Sequence, residues 1–171
     1  MTIVSSGRVT WLTKPEVPIA HFCGMFSKAC MYAIRAVVLM ATSHDRSARW
    51  PLALVAERTG APEAFMAKIL SKLAQAGILD SVKGPGGGFQ LTPERAATLR
   101  LEEVVRTIDG DALFAGCALG FPKCDARKPC PIHDQVMQVR DRLHKLLTDT
   151  RIADLGHELE EGHTFLSGKL R

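Results

Sequence analysis

The chain has 171 residues, 46% of them hydrophobic and 23% charged, a composition that suits a globular domain with one proper core. No apolar run reaches the roughly 18 to 20 residues that span a bilayer. The first 24 residues, broken by Lys14, Glu16 and two prolines, hold no signal-peptide core, so a cytoplasmic protein with no membrane partner is expected. The net charge of +4 is uneven: residues 25–100 carry ten Lys and Arg against five Asp and Glu, and residues 101–171 carry ten against twelve. A polyanion-binding face is therefore expected in the first half.

Residues 1–24 read as an N-terminal extension without a period. From Phe26 the pattern changes, and Cys30, Ala33, Ile34, Val37, Val38 and Ala41 recur at three- and four-residue spacing. That spacing predicts an amphipathic helix with Ser27 as its cap. After the polar break "TSHDRSARW", Pro51 opens a second helix whose buried face is Leu52, Val55 and Ala56, stopped by Gly60. Pro62 opens a third, with Phe65, Met66, Ile69, Leu70 and Leu73 inward and Gly77 beyond its end. "ILDSVK" and "FQLT" then flank "GPGGG", a hairpin signal.

Helix, turn, helix and a glycine-tipped hairpin is the order of a winged helix-turn-helix. The predicted fold class is mainly α with a small β-hairpin wing. Residues 25–100 form the DNA-binding domain, and residues 101–130 a linker helix, from Leu101 to about Ile108, with a cysteine loop. From Pro131 a long helix begins in which Ile132, Val136, Val139, Leu143 and Leu146 step by four, three, four and three. This heptad-like seam suits a partner helix, although it could also pack on its own domain. The dimerisation region is placed at 131–155 and a flexible tail at 156–171.

A recognition helix buries one face and offers the other to the major groove. On the helix from Pro62 the outward candidates are Glu63, Ala64, Ala67, Lys68, Ser71 and Lys72, and its lysines can neutralise phosphates. Lys83, Gly86 and Gly87 form the wing tip, where glycine permits positive φ and close approach to a nucleic-acid backbone. A phosphate-binding P-loop is excluded because no Lys-Ser/Thr pair follows the glycines. No nucleophile elbow, nucleotide loop or paired-carboxylate arrangement is present, so no enzyme activity is expected.

An odd count of five cysteines argues against a disulfide framework. Three of them lie in "CALGFPKCDARKPCPIHD": Cys117, Cys124 and Cys130, separated by six and five residues, with His133 two residues beyond. Structural zinc sites usually use tighter pairs, and the wide glycine- and proline-shaped loops suit a larger object such as an iron–sulfur cluster. Residue chemistry alone leaves three readings open: a cluster, a structural zinc ion, and bare redox thiols. Cys30 falls on the apolar face of the first helix and is expected to behave as a small hydrophobe.

Taken together, "MFSKACMYAIRAVVLMA", "LVAERTGAPEAFMAKILSKLAQAGILDSVKGPGGGFQL", "LEEVVRTIDGD" and the three-cysteine loop resemble the IscR/NsrR-type bacterial transcription regulators, over about Met25 to Leu155. The resemblance implies a homodimer of winged-helix subunits joined along the helix after the cysteines and bound to near-palindromic promoter DNA. It also implies an iron–sulfur cluster, 2Fe-2S or 4Fe-4S, through which redox state, nitric oxide, iron or cluster supply is sensed, with the regulator acting as a repressor. Some branches use a histidine just after the last cysteine as fourth ligand, which "CPIH" matches at His133. Others borrow an acidic side chain at a position that holds Met31 here. A base-contacting glutamate of some relatives falls at Ala67, so their target sequences do not carry over. The rivals to this expectation are a regulator with cluster-free redox cysteines and a zinc-stabilised winged-helix module that binds protein.

Overall fold

A computed structural model of the chain describes residues 25–42, 49–122 and 124–166. The predicted extension 1–24, and the last five residues of the predicted tail, lie outside them.

Helix α1, Lys28–Ala41, starts where the sequence places its cap: the Ser27 hydroxyl accepts the Cys30 N–H at 3.1 Å. Its N-terminus is held a second time from a distance. Ser27 donates its backbone N–H to Asp109 Oδ2 at 2.9 Å and its hydroxyl to Oδ1, so the "TIDG" aspartate anchors the first helix. An anion at a helix N-terminus also complements the helix dipole. α1 buries Cys30, Ala33, Ala36 and Val37 completely.

The helix-turn-helix follows as α2, Leu52–Thr59, and α3, Glu63–Gln75. Gly60 closes α2 in the left-handed conformation (φ 72°) and returns its N–H to the Ala56 and Glu57 carbonyls. α3 buries Met66, Ile69, Leu70 and Leu73 as its spacing predicts, whereas Phe65, expected inward, sits at the core's edge, 37% exposed with its ring edge-on to Tyr32. The wing is β1, Asp80–Val82, paired antiparallel with β2, Gly88–Gln90, with Ser81 opposite Phe89. Ile78, Leu79 and Leu91, just outside the paired residues, root the hairpin in the core.

The hairpin has a third edge that hydropathy did not announce. Trp50 and Phe89 exchange both backbone hydrogen bonds, at 2.7 and 2.9 Å, so the residue before α2 pairs with the wing. Helix α4, Pro93–Thr98, capped by the Thr92 side chain, leads to α5, Leu101–Asp109, which buries Leu101, Val104 and Val105. α6 is a single turn, Ala112–Ala115. α7, His133–Asp149, begins two residues after the predicted Pro131 start.

The chain beyond 155 differs from expectation. Helix α8, Ile152–Glu160, runs across the predicted boundary between dimerisation region and tail, and packs on α1 and α4. Its entry is tied down by Leu101 N–H to Thr150 O and Ile152 N–H to Leu99 O, both at 3.0 Å. Gly156, in the middle of α8, is buried so tightly that an added Cβ would stand 2.8 Å from the Ala41 Cβ. The glycine lets α8 approach α1; it does not end the helix. With Leu147 and Ile152 fully buried, at about 1.5–3 kcal/mol each, this C-terminal packing completes the core.

Candidate nucleic-acid interface and cysteine loop

The outward face of α3 is as predicted: Glu63, Ala64, Lys68, Ser71 and Lys72 are exposed and Ala67 half-buried. Ala67, Lys68, Ser71, Lys72 and Gln75 line one shallow depression. Ser71 also lines the adjoining groove, shared with Ser81, Lys83, Gly84, Gly87 and Gly88 of the wing. Ser71 thus links α3 to the hairpin along a surface that mixes polar groups with Pro51, Leu52, Val82 and Phe89. Gln75 and Ser81 join it without having been singled out, because nothing in their local spacing marks them.

The wing glycines serve two separate purposes. Gly86 adopts φ +74° in open space, so backbone conformation demands it. Gly87 has no room: an added Cβ would press on the Val82 carbonyl oxygen and stand 2.8 Å from that of Gly84. The Gly87 N–H closes the tip by donating to Gly84 O at 2.9 Å.

The two lysines of α3 are not equivalent. Lys68 makes no hydrogen bond or ion pair among the described residues, and its ammonium is available to a phosphate. Lys72 donates from Nζ to the Ile108 carbonyl at 3.1 Å, at the C-terminal end of α5. An ammonium is favoured there by the uncapped carbonyls and the helix dipole.

In the cysteine segment, Cys117, Cys124 and Cys130 are free, half-buried thiols. Cys124 Sγ lies 3.4 Å from His133 Nδ1 at the start of α7, where the His133 backbone N–H donates to the Cys130 carbonyl at 3.0 Å. The loop is shaped by Gly120 N–H donating to Cys117 O and by Asp125. The Asp125 carboxylate accepts from the Arg127 guanidinium and backbone, which holds its carboxyl below the usual range. Among the described residues no three His, Cys, Asp or Glu side chains converge as a metal site. The donor chemistry, three thiols and an imidazole, fits iron–sulfur or zinc ligation, and the Cys124–His133 contact brings one donor of each kind together. Cys30 is no member of this set. It is wholly buried, and burial, then the Asp109 charge and hydrogen bond, push its thiol up to about 12.

Between these two regions lies a polar cluster that the sequence does not reveal. Glu102 accepts from Arg106 Nε at 2.6 Å and faces His144 Nε2 at 3.2 Å, and the Arg106 bond foremost holds its carboxyl below the usual range. The Phe114 ring sits under the Arg106 guanidinium, 4.5 Å from its centroid, and meets the His144 ring edge-on at 5.4 Å. Arg106 also pairs with Asp111, and Arg140 donates to the Gly116 carbonyl.

The predicted seam of α7 divides. Ile132, Val139 and Leu146, seven residues apart, are 39%, 65% and 56% exposed. Val136 is half-buried, and Leu143 packs on the core above the fully buried Leu147. The exposed members form one stripe.

Comparison with known families places this winged helix. Residues 26–158 match Rrf2, described as an iron-dependent transcriptional regulator. The chain belongs to the Rrf2 family. It is a DNA-binding transcriptional regulator. Among relatives of this Rrf2 chain, the HTH-type transcriptional regulator IscR of Vibrio atlanticus is 30% identical over 124 residues, covering 72% of this chain and 70% of that protein. Solved structures with the same fold include CymR, the global cysteine regulator of B. subtilis, with a TM-score of 0.62 at 20% identity over 77% of this chain and 95% of that one. T. potens IscR matches with a TM-score of 0.62 at 22% identity, over 83% and 92%. The match to residue 158 takes in most of α8. No helix among the described residues is long and apolar enough to cross a membrane.

Proposed function

We propose that this Rrf2 regulator acts as a homodimer that binds promoter DNA through α3 and the wing and senses its signal through an iron–sulfur cluster held by Cys117, Cys124, Cys130 and His133. The observation that carries the reading is the Cys124–His133 contact at the first turn of α7. Ligands there sit at the root of the helix whose exposed heptad stripe suits a second copy. When bound, such a cluster supplies a labile, redox-active centre.

The chain's own residues perform the rest. Lys68 and Lys83 neutralise phosphates and release counterions. Gly86 and Gly87 keep the wing tip narrow enough to approach the duplex. Ala64 and Ala67 are small enough for α3 to enter the major groove, where they can touch thymine methyl groups. Ile132, Val139 and Leu146 bring two subunits together, so that two α3 helices address half-sites about 34–36 Å apart. The regulator acts as a repressor in the cytoplasm.

The deciding experiment is purification without oxygen, followed by the visible spectrum and assays of iron, sulfide and zinc. Visible absorbance with iron and acid-labile sulfide is expected, and a colourless protein with stoichiometric zinc would sink the cluster. His133→Ala should give a labile or spectrally altered centre; an unchanged spectrum and lifetime removes His133 from the ligand set. Val139→Glu combined with Leu146→Glu should sediment as a monomer, and a persisting dimer refutes the seam. A second reading rests on the same contact: a thiol beside an imidazole is also the arrangement of a reactive cysteine. In that case sulfide is absent and reversible oxidation of Cys124 alone changes DNA affinity.

A further inference from the structure

We infer that Phe114, held between Arg106 and His144, which Glu102 ties together, is a latch that couples the cysteine segment to the recognition helix, and that Lys72 positions α3 at the far end of this linkage. The inference rests on the sensing role proposed for the cysteine segment and adds the route by which its state reaches α3.

The geometry begins at α6. A four-residue turn has no stability of its own, so the placement of Ala112–Ala115 depends on its anchors. Phe114 provides the main one, under the Arg106 guanidinium and edge-on to His144. The Glu102 carboxylate meets both the Arg106 and the His144 side chains, so a single carboxylate joins α5 to α7. A second anchor holds the chain just before Cys117, where Arg140 of α7 donates to the Gly116 carbonyl. Any movement that draws Cys117 toward Cys124 and His133 must pull on both anchors. Only Gly116 and Ala115 separate Phe114 from Cys117.

The other end of the linkage is short and stiff. Arg106 lies two residues before Ile108, whose carbonyl accepts from Lys72 at 3.1 Å. α5 packs against α1, α3 and α7, and its last residue, Asp109, holds the N-terminus of α1. A shift of the α5 C-terminus therefore reaches α3 through a direct bond, and reaches α1 through Asp109. Lys72 acts here on the tilt of α3. Lys68, one turn earlier and without a partner among the described residues, remains the phosphate contact.

The test compares wild type with Phe114→Leu, which keeps an apolar side chain but removes the ring, and with Lys72→Met, which keeps the aliphatic stem. Promoter affinity is measured for the loaded and the chelator-stripped protein, and the ratio of the two affinities is the coupling. Allosteric ratios are typically about 5-fold or more, and both variants should bring the ratio toward unity with the visible spectrum of Phe114→Leu unchanged. A ratio equal to wild type in Phe114→Leu overturns the latch. A salt slope reduced by about 1 with the ratio intact in Lys72→Met would make Lys72 a phosphate contact and overturn its positioning role.

A second readout needs no cluster. Amide exchange on the stripped protein should quicken in peptides covering 63–76 and 101–110 in Phe114→Leu. Change confined to 112–122 shows a local role and refutes the linkage. Should the wild type take up no cluster, its spectrum reports that failure separately, and the exchange comparison still decides the latch.

Discussion

Substituting alanine at Gly87 and, in parallel, at Gly86 tests whether the wing is an instrument of DNA binding and why its glycines are there. At Gly86 the φ of +74° is the whole difficulty, since no heavy atom lies within 4 Å of an added Cβ. An L-residue in that region costs about 1–2 kcal/mol. At Gly87 the Cβ meets the carbonyl oxygens of Val82 and Gly84, which belong to the backbone of the turn and cannot rotate away. Relief requires opening the tip and losing the Gly87 N–H bond to Gly84. Overpacking of this kind costs about 1–3 kcal/mol, and the lost hydrogen bond about 1 more. Because β1 and β2 are three residues each, β1 exposed and β2 half-buried, the strain should reorganise the wing and leave the helical core folded. Promoter affinity should then fall by about 10-fold for Gly86→Ala and by more for Gly87→Ala, at about 1.4 kcal/mol per decade. Fluorescence anisotropy over a salt series measures the affinities, and circular dichroism melts check that the core survives. Gly87→Ala binding as tightly as wild type, or Gly86→Ala proving the more damaging, would refute the steric argument.

Three further outcomes are expected. Lys68→Gln should weaken binding to all duplexes alike and reduce the salt slope by about 1 for each subunit, and an unchanged slope would remove Lys68 from the phosphate contacts. Gly156→Ala should gain helix propensity of about 1 kcal/mol yet lower overall stability, because its Cβ would stand 2.8–2.9 Å from Ala41 atoms and force α8 off α1. A urea melt showing stabilisation would mean the contact is looser than described. Glu102 has a folded-state pKa below its ordinary 4.5, chiefly through the Arg106 hydrogen bond, so its contribution to stability is present above pH 4.5 and lost as pH falls through the folded value. The stability gap between wild type and Glu102→Gln should accordingly be largest near neutral pH and close on acidification. A gap independent of pH down to the acid transition would contradict this assignment.

The local elements were legible in the sequence because their causes are local. The apolar spacing of Ala33, Val37 and Ala41 and the Ser27 cap define α1, and the stop at Gly60 defines the end of α2. Met66, Ile69, Leu70 and Leu73 orient α3, leaving Lys68 outward, and "GPGGG" places the wing. The composition of the cysteine segment likewise declared its donor chemistry, three thiols and an imidazole, before any coordinate. The tertiary structure decided what depends on residues distant in the chain. Trp50 became part of the wing only because Phe89 offered it a partner, and Asp109 became an anchor because Ser27 lies opposite it. Gly156 carries no local signal, and only Ala41 shows that its missing side chain is space for a crossing helix. Lys72 carried the same signal as Lys68, and only the position of Ile108 separated a docked cation from a free one. Periodicity and capping are properties of one helix, whereas these distinctions arise where two elements meet.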